Sequence, residues 1–383
     1  MKVFEQMQTY YQQRDLAARK WKEKGGKVVG YLCDSVPEEL ILAAGFFPLR
    51  ISGDPLGETE AADKYTEPVY EGFVRSILDM ILTAKYDFLD YLIIPHSRDS
   101  IHGLYDILGA VQGLDPALKL PELYLFDLLH TKFWSTELYN RERLYDFKRK
   151  LEEWSGREIT DQSLADAIAL TNENKMLLKQ VAALRVTPKP RISGVEALTI
   201  IGSSMFMLKE DHNDLLRQFL KEANELSPRN GVRLYFEGGP LDNLQFYKIV
   251  ESVDCTIVAE DNCWGNRYSD CPIDTSLPPV EAIASRYHLK SPCPRMYPLE
   301  ARVDYCLQGA LEAKAQGVIF NIFEWDYAQT WEYPEVNKAL EQKKVPTLTF
   351  KKQSYRISED GRRQIVDRLK PFVVSEIRNK DQR

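Results

Sequence analysis

Short apolar runs alternate with segments of helical period in two separate blocks of the chain, and this alternation constrains the fold more than any other feature. In the first block the runs are Val28–Leu32, Phe47–Ile51, Tyr91–Pro95 and Leu123–Phe126. In the second they are Val232–Phe236, Cys255–Ala259, Val318–Phe323 and Pro346–Phe350. Runs this short and this apolar read as strands buried on both faces, the pattern of parallel sheets covered by helices. Helical patterns fall between them: Tyr10–Lys27, Pro37–Ala44 with Pro in its first turn and Gly45 past its end, Ser76–Ala84 and Ile101–Leu108. From Thr131 to about Leu184 nearly everything has helical period, including Leu144–Trp154 and a segment opened by Thr160 or Asp161 as N-cap. Helix resumes over Gly194–Leu226 after the breaker Thr187–Pro190, and Ile357–Ile377 closes the chain.

The pattern predicts an α/β protein: two Rossmann- or flavodoxin-like parallel-sheet domains joined by a helical region. The expected bounds are residues 1–130, 131–228 and 229–383. A chain of 383 residues exceeds what one core usually supports, which fits a division into domains. The halves share an element order but no clear sequence repeat.

Charge and composition remove several function classes. With 50 Lys and Arg against 57 Asp and Glu, the net charge of −7 argues against a nucleic-acid binder, so an anionic ligand must be met by local groups. The longest apolar run, Leu40–Leu49, is broken by Gly45 and Pro48 and is far short of the roughly 20 residues that span a membrane. The N-terminus has no signal-peptide pattern, and six cysteines are too few for a disulfide scaffold. The expectation is a cytoplasmic protein with reduced thiols.

In open parallel sheets, ligands bind beyond the carboxyl ends of the strands. Those ends carry Cys33-Asp34-Ser35 and Pro95-His96-Ser97-Arg98-Asp99 in the first block. In the second they carry Glu237-Gly238-Gly239, Glu260–Trp264 and Glu324-Trp325-Asp326, and facing domains would gather all five loops into one cleft. Cys255 and Cys306 read as small core residues, Cys271 reads either way, and Cys33, Cys263 and Cys293 fall in loops or at strand ends. The spacing Cys263-x7-Cys271 matches no zinc ribbon or ferredoxin pattern. Glu38 and Glu39 stand on a helix's first turn, where a dipole or capping role is the default. His96 and His102 flank Arg98 and Asp99, where they could move protons or merely cap and solvate the loop. No nucleotide, P-loop, nucleophile-elbow or zinc-hydrolase motif is present.

Several segments together resemble one family. They are Val29–Leu49, Tyr86–Pro95, Met205–Lys209, Glu260–Arg267, Gly317–Phe320, and Glu332-Tyr333-Pro334 leading into Lys344–Leu348. Their order and spacing are similar to the D-component of 2-hydroxyacyl-CoA dehydratases and to the related benzoyl-CoA reductase subunits, over about residues 28–351. The block Pro37-Glu38-Glu39-Leu40 through Ala43-Ala44-Gly45 to Pro48 is its most specific part.

The resemblance implies an enzyme subunit, a lyase or an oxidoreductase, acting on an acyl-CoA or aryl-CoA thioester. It implies a [4Fe–4S] cluster between two α/β domains, a related second subunit, and a separate ATP-hydrolysing activator that delivers a low-potential electron. That electron would turn the thioester carbonyl into a ketyl radical anion, from which loss of the 2-hydroxyl and the β-proton becomes feasible. Glu39 is the family-matched polar residue near the substrate, as base or as orienter. Family subunits carry cysteines near three points that here read Glu71–Arg75, Ser97–Asp99 and Phe323–Asp326, none of which contains Cys. Cys33 matches a ligand position of some members, and Cys263 and Cys293 lie in blocks that bear Cys in others. Two alternatives stay open: a variant metal site of Cys33, Cys263 and Cys293, or a cluster-poor, non-catalytic scaffold subunit beside a cluster-bearing partner. A free-standing reductase with another cofactor has no motif to support it.

Overall fold

A computed structural model describes residues 2–115, 117–289 and 293–378. It contains two four-stranded, wholly parallel sheets. The strands are β1 (Val28–Tyr31), β2 (Phe47–Arg50), β3 (Tyr91–Pro95) and β4 (Glu122–Phe126), then β5 (Val232–Gly238), β6 (Cys255–Asp261), β7 (Gly317–Phe323) and β8 (Thr347–Gln353). The strand order is β2-β1-β3-β4 in the first sheet and β6-β5-β7-β8 in the second. The two halves therefore repeat one topology without repeating sequence, and each is a Rossmann/flavodoxin-like unit. In this winding the chain reverses direction of travel between β1 and β3, and again between β5 and β7, which opens a crevice at the strand ends. All eight apolar runs form strands, and β1, β2, β3 and β7 are buried at every position.

The helices between the sheets form no core of their own. Leu144, Phe147 and Leu151 of Trp134–Ser155 pack on Val29, Tyr31 and Ile93 of the first sheet. Along Asp161–Val186, Leu164 and Ile168 join that same core, while Leu178 and Val181 join a second cluster that includes residues of both sheets. Thr160 caps this helix by accepting from the Ser163 amide. Among the described residues no helix is long and apolar enough to cross a membrane.

Two helices expected to be continuous are broken. Tyr10–Lys27 divides into Lys2–Gln12 and Leu16–Glu23, because Arg14 in the break turns inward to the Asp242 carbonyl (2.6 Å) and the Ser52 hydroxyl (2.5 Å). Gly194–Leu226 divides into Gly194–Ser203 and Lys209–Glu222. Its interruption brings the Met205 carbonyl to the Arg50 amide and the Lys209 ammonium back to the Ser204 carbonyl.

Beneath that break lies a buried polar network around His212. The Asn174 side-chain amide donates to its Nδ1 (2.8 Å), which leaves Nε2–H to donate to the Ile200 carbonyl (3.1 Å). Burial, and then the Lys209 charge, push the imidazole pKa down from 6.5 to about 3. Below about pH 6.5 the unfolded chain takes a proton that the folded chain refuses. His212 should therefore withdraw stability as pH falls from 6.5 toward 3, by about 1.4 kcal/mol per unit. Urea unfolding across that range should show the loss, and His212→Gln should flatten it.

Candidate functional site

The two crevices face each other, and the strand-end loops of both halves enclose a cavity of about 50 Å3. Cys33 follows β1, Ser97 and Arg98 follow β3, Gly239 follows β5, and Cys263 and Trp264 follow β6. Cys293 and Arg295 come from the later loop. The three cysteines singled out from the sequence thus line one cavity. Cys33 holds φ at +62° and Trp325, after β7, holds +68°, left-handed values that cost a side-chain-bearing residue energy and are retained where the surroundings fix them.

Each thiol already has a partner. The Cys33 sulfur lies 3.1 Å from the Ser97 hydroxyl, and burial pushes its pKa up to about 11. The Cys263 sulfur accepts from Arg50 at 3.1 Å, yet burial outweighs that cation and raises its pKa as well. Cys293 lies 3.7 Å from the Arg295 guanidinium. Among the described residues no three His, Cys, Asp or Glu side chains come together in a way that could hold a metal ion.

The three loops at which the resemblance implies cysteines do meet in space, and a guanidinium joins them. Arg98 donates to Glu71 at 2.6 Å and to Asp326 at 3.1 Å, with all three side chains less than a tenth exposed. Burial alone would raise the Asp326 pKa, but Arg98 and then Arg295 outweigh it and hold the carboxyl below its ordinary value. An ion triad thus stands at that meeting point, where the resemblance implies cysteine ligands, and among the described residues no cluster-binding set is formed there.

Arg50, at the end of β2, is a second link between the halves. One of its terminal nitrogens donates to the Cys263 carbonyl at 2.7 Å, and its guanidinium lies 4.0 Å above the Trp264 ring. Arg50, Arg295, Arg267, His130 and Asp242 all line the cavity, and the sequence patterns single out none of them. A lone Arg at a strand end has no spacing signature. The nearest signal is that Arg50 closes an otherwise apolar strand, where a charge needs a partner.

Glu38 and Glu39 do not cap their helix, whose N-terminus has no side-chain cap. Both are buried. Glu38 pairs with Lys209 at 3.1 Å and accepts from the Tyr268 hydroxyl at 2.5 Å. Glu39 pairs with Lys175 at 2.7 Å and accepts from Thr171 and Tyr287 at 3.0 and 2.9 Å. Burial would raise its pKa, but Lys175 and these donors outweigh it and keep the carboxyl below its ordinary value. Lys175 reaches a small space that it shares with Cys33, Asp34 and Arg50, so Glu39 stands one residue behind that wall. His96 and His102 lie 4.7 Å apart on the outside, at Asp127 and Asp106 respectively, and neither lines the central cavity.

Two larger openings adjoin the cavity. A groove of about 630 Å3 shares Arg50 with it and is lined by Arg14, Arg19, Lys85 and Lys248, with Asp15 and Asp54. On another side, a cleft of about 320 Å3 shares Ser97, Arg98, His130 and Arg295 with the cavity.

Paired doubly wound units around a buried, thiol-lined cavity define a class of α/β proteins with a cavity between two sets of strand ends. The chain belongs to the family described as "2-hydroxyglutaryl-CoA dehydratase, D-component", whose model matches residues 33–373. It is 27% identical to one of the subunits of benzoyl-CoA reductase from Thauera aromatica, with 88% of each chain covered. It is 24% identical to the (R)-phenyllactyl-CoA dehydratase beta subunit of Clostridium sporogenes, over 85% of this chain and 86% of that one. It is also 24% identical to the beta subunit of (R)-2-hydroxyglutaryl-CoA dehydratase of Acidaminococcus fermentans, over 85% and 87%.

Removing one member of a buried ion network strands its partners' charges. Arg98→Met should therefore destabilise the protein by about 3–5 kcal/mol in urea unfolding. Adding Glu71→Gln and Asp326→Asn to that variant should restore most of the loss. No recovery would show that Arg98 acts through packing alone.

Proposed function

We propose that the chain is one subunit of an ATP-activated, radical-forming complex of the 2-hydroxyacyl-CoA dehydratase or benzoyl-CoA reductase type, acting on a CoA thioester. The observation that carries this is a groove lined by Arg14, Arg19, Lys85 and Lys248 that shares Arg50 with the buried cavity at the paired strand ends. The groove offers Lys85 and Lys248 to the phosphates of CoA, and it shares Arg50 with the cavity. The cavity gives the thioester end a dry place, since only a few waters fit in it.

The chain's own contribution is then binding, orientation and exclusion of water. Glu39 serves as a positioning residue: it fixes the Lys175 ammonium, which reaches the wall beside Cys33. The electron-carrying cluster is assigned to a related second subunit, and the ATP-hydrolysing activator docks on the complex. A second reading, a scaffold subunit with no catalytic part, is favoured by the Arg98 triad, which fixes the cleft without a metal.

Calorimetric titration with CoA separates the two. Binding should be salt-sensitive, and Lys85→Glu with Lys248→Glu should weaken it at least about tenfold, because both charges on the groove are reversed. If neither the chain nor its complex with a second subunit binds CoA, the scaffold reading replaces the first.

A further inference from the structure

Six of the seven exposed aromatic side chains among the described residues lie in segments that flank the cleft above Arg98, which is itself lined by Leu129, His130 and Arg295 on one side and by Asp326, Tyr327 and Ala328 on the other. One rim is the segment 129–134, whose Thr131 pairs in parallel with Tyr297. It presents Phe133 (56% exposed), Trp134 (75%) and Tyr297 (57%), with the Phe133 and Tyr297 rings 6.2 Å apart. The other rim is the turn after β7 and the start of helix Tyr327–Gln342. It presents Trp325 (37%), Tyr327 (58%) and Trp331 (79%); the first two rings lie 6.4 Å apart, and Trp331 follows Tyr327 by one helical turn. The left-handed backbone at Trp325 belongs to this rim.

Single exposed apolar residues need no explanation, but six aromatics in the segments that flank one opening do. Each such side chain carries roughly 150–250 Å2, so six exposed to this degree offer on the order of 800 Å2, about what one partner gives to a stable protein–protein interface. Trp and Tyr are also the residues that carry binding energy at such interfaces. Sequence relatives of the chain are themselves named as single subunits of a reductase and of dehydratases.

We propose that this aromatic rim is where a second subunit of the same family docks, closing the cleft over Arg98 and Arg295. The proposal rests on the reading that the chain works beside such a protein, and it fixes the face that is used. The basic groove lies on a different set of residues, so CoA can enter from one side while the partner seats on the other. The partner would then meet the cavity through the residues the cavity shares with the cleft, Ser97, Arg98, His130 and Arg295.

The test mixes the purified chain with each other member of the family that its source genome encodes, and reads mass by light scattering and affinity by sedimentation. One member should form a one-to-one complex, and Trp134→Ala with Trp331→Ala should weaken it about 100-fold, as expected when two hot-spot residues are truncated. Both side chains are exposed, so the thermal midpoint and CoA binding of the isolated double variant should match the parent. Leu114→Ala, which removes a side chain 80% exposed outside both rims, should change nothing. A complex unaffected by the double substitution overturns the surface while leaving the partnership intact. Self-association through the two tryptophans overturns the choice of partner. Failure of every family member to bind overturns the two-subunit reading itself.

Discussion

The cleft depends on charges buried where the two halves meet. Arg98 carries a full positive charge into a site less than a tenth exposed, and the opposing carboxylates come from two halves of the chain, Glu71 from the first and Asp326 from the second. Taking such groups out of water costs several kcal/mol each, so the arrangement is stable only when all three are in place. The triad therefore dictates how the two sheets sit relative to each other. Arg50 repeats the device across the same boundary, ending β2 on the carbonyl and sulfur of Cys263.

A second pair of buried charges fixes the helical layer. From the first turn of their helix, Glu38 and Glu39 reach Lys209 and Lys175, which belong to two different helices of the connecting region. Strand β1, the loop bearing Cys33 and the helix after it are held from behind by these contacts. The groove that shares Arg50 with the cavity and the cleft that shares Arg98 and Arg295 with it are lined by different residues. Substrate entry and subunit docking can then use separate faces of one scaffold.

Much of this was legible in the sequence because it follows from periodicity. Runs such as Tyr91–Pro95 and Val318–Phe323 are apolar throughout because both faces of a parallel strand are covered, and all eight runs formed strands. That Cys33 and Cys263 line one cavity followed from placing them at strand ends, and Cys293 joins them from a later loop. The ion pairs were not legible, because their partners are far apart in the chain: Arg98 and Asp326 are separated by 228 residues. For the same reason a glutamate on a first turn looked like a dipole partner until its lysine appeared 136 residues away. The helix breaks near Arg14 and Ser204 answer to tertiary contacts that override good local helix propensity.

The central proposal is that the Arg98 ion pairs organise the cleft of this chain and that the cluster belongs to a second subunit. Iron and acid-labile sulfide, counted on the chain purified alone under strictly anaerobic conditions and after attempted reconstitution, test it most directly. The account predicts well under one iron per chain, with full stability retained. About four irons per chain, the content of one [4Fe–4S] cluster, lost on Cys33→Ala, would contradict it.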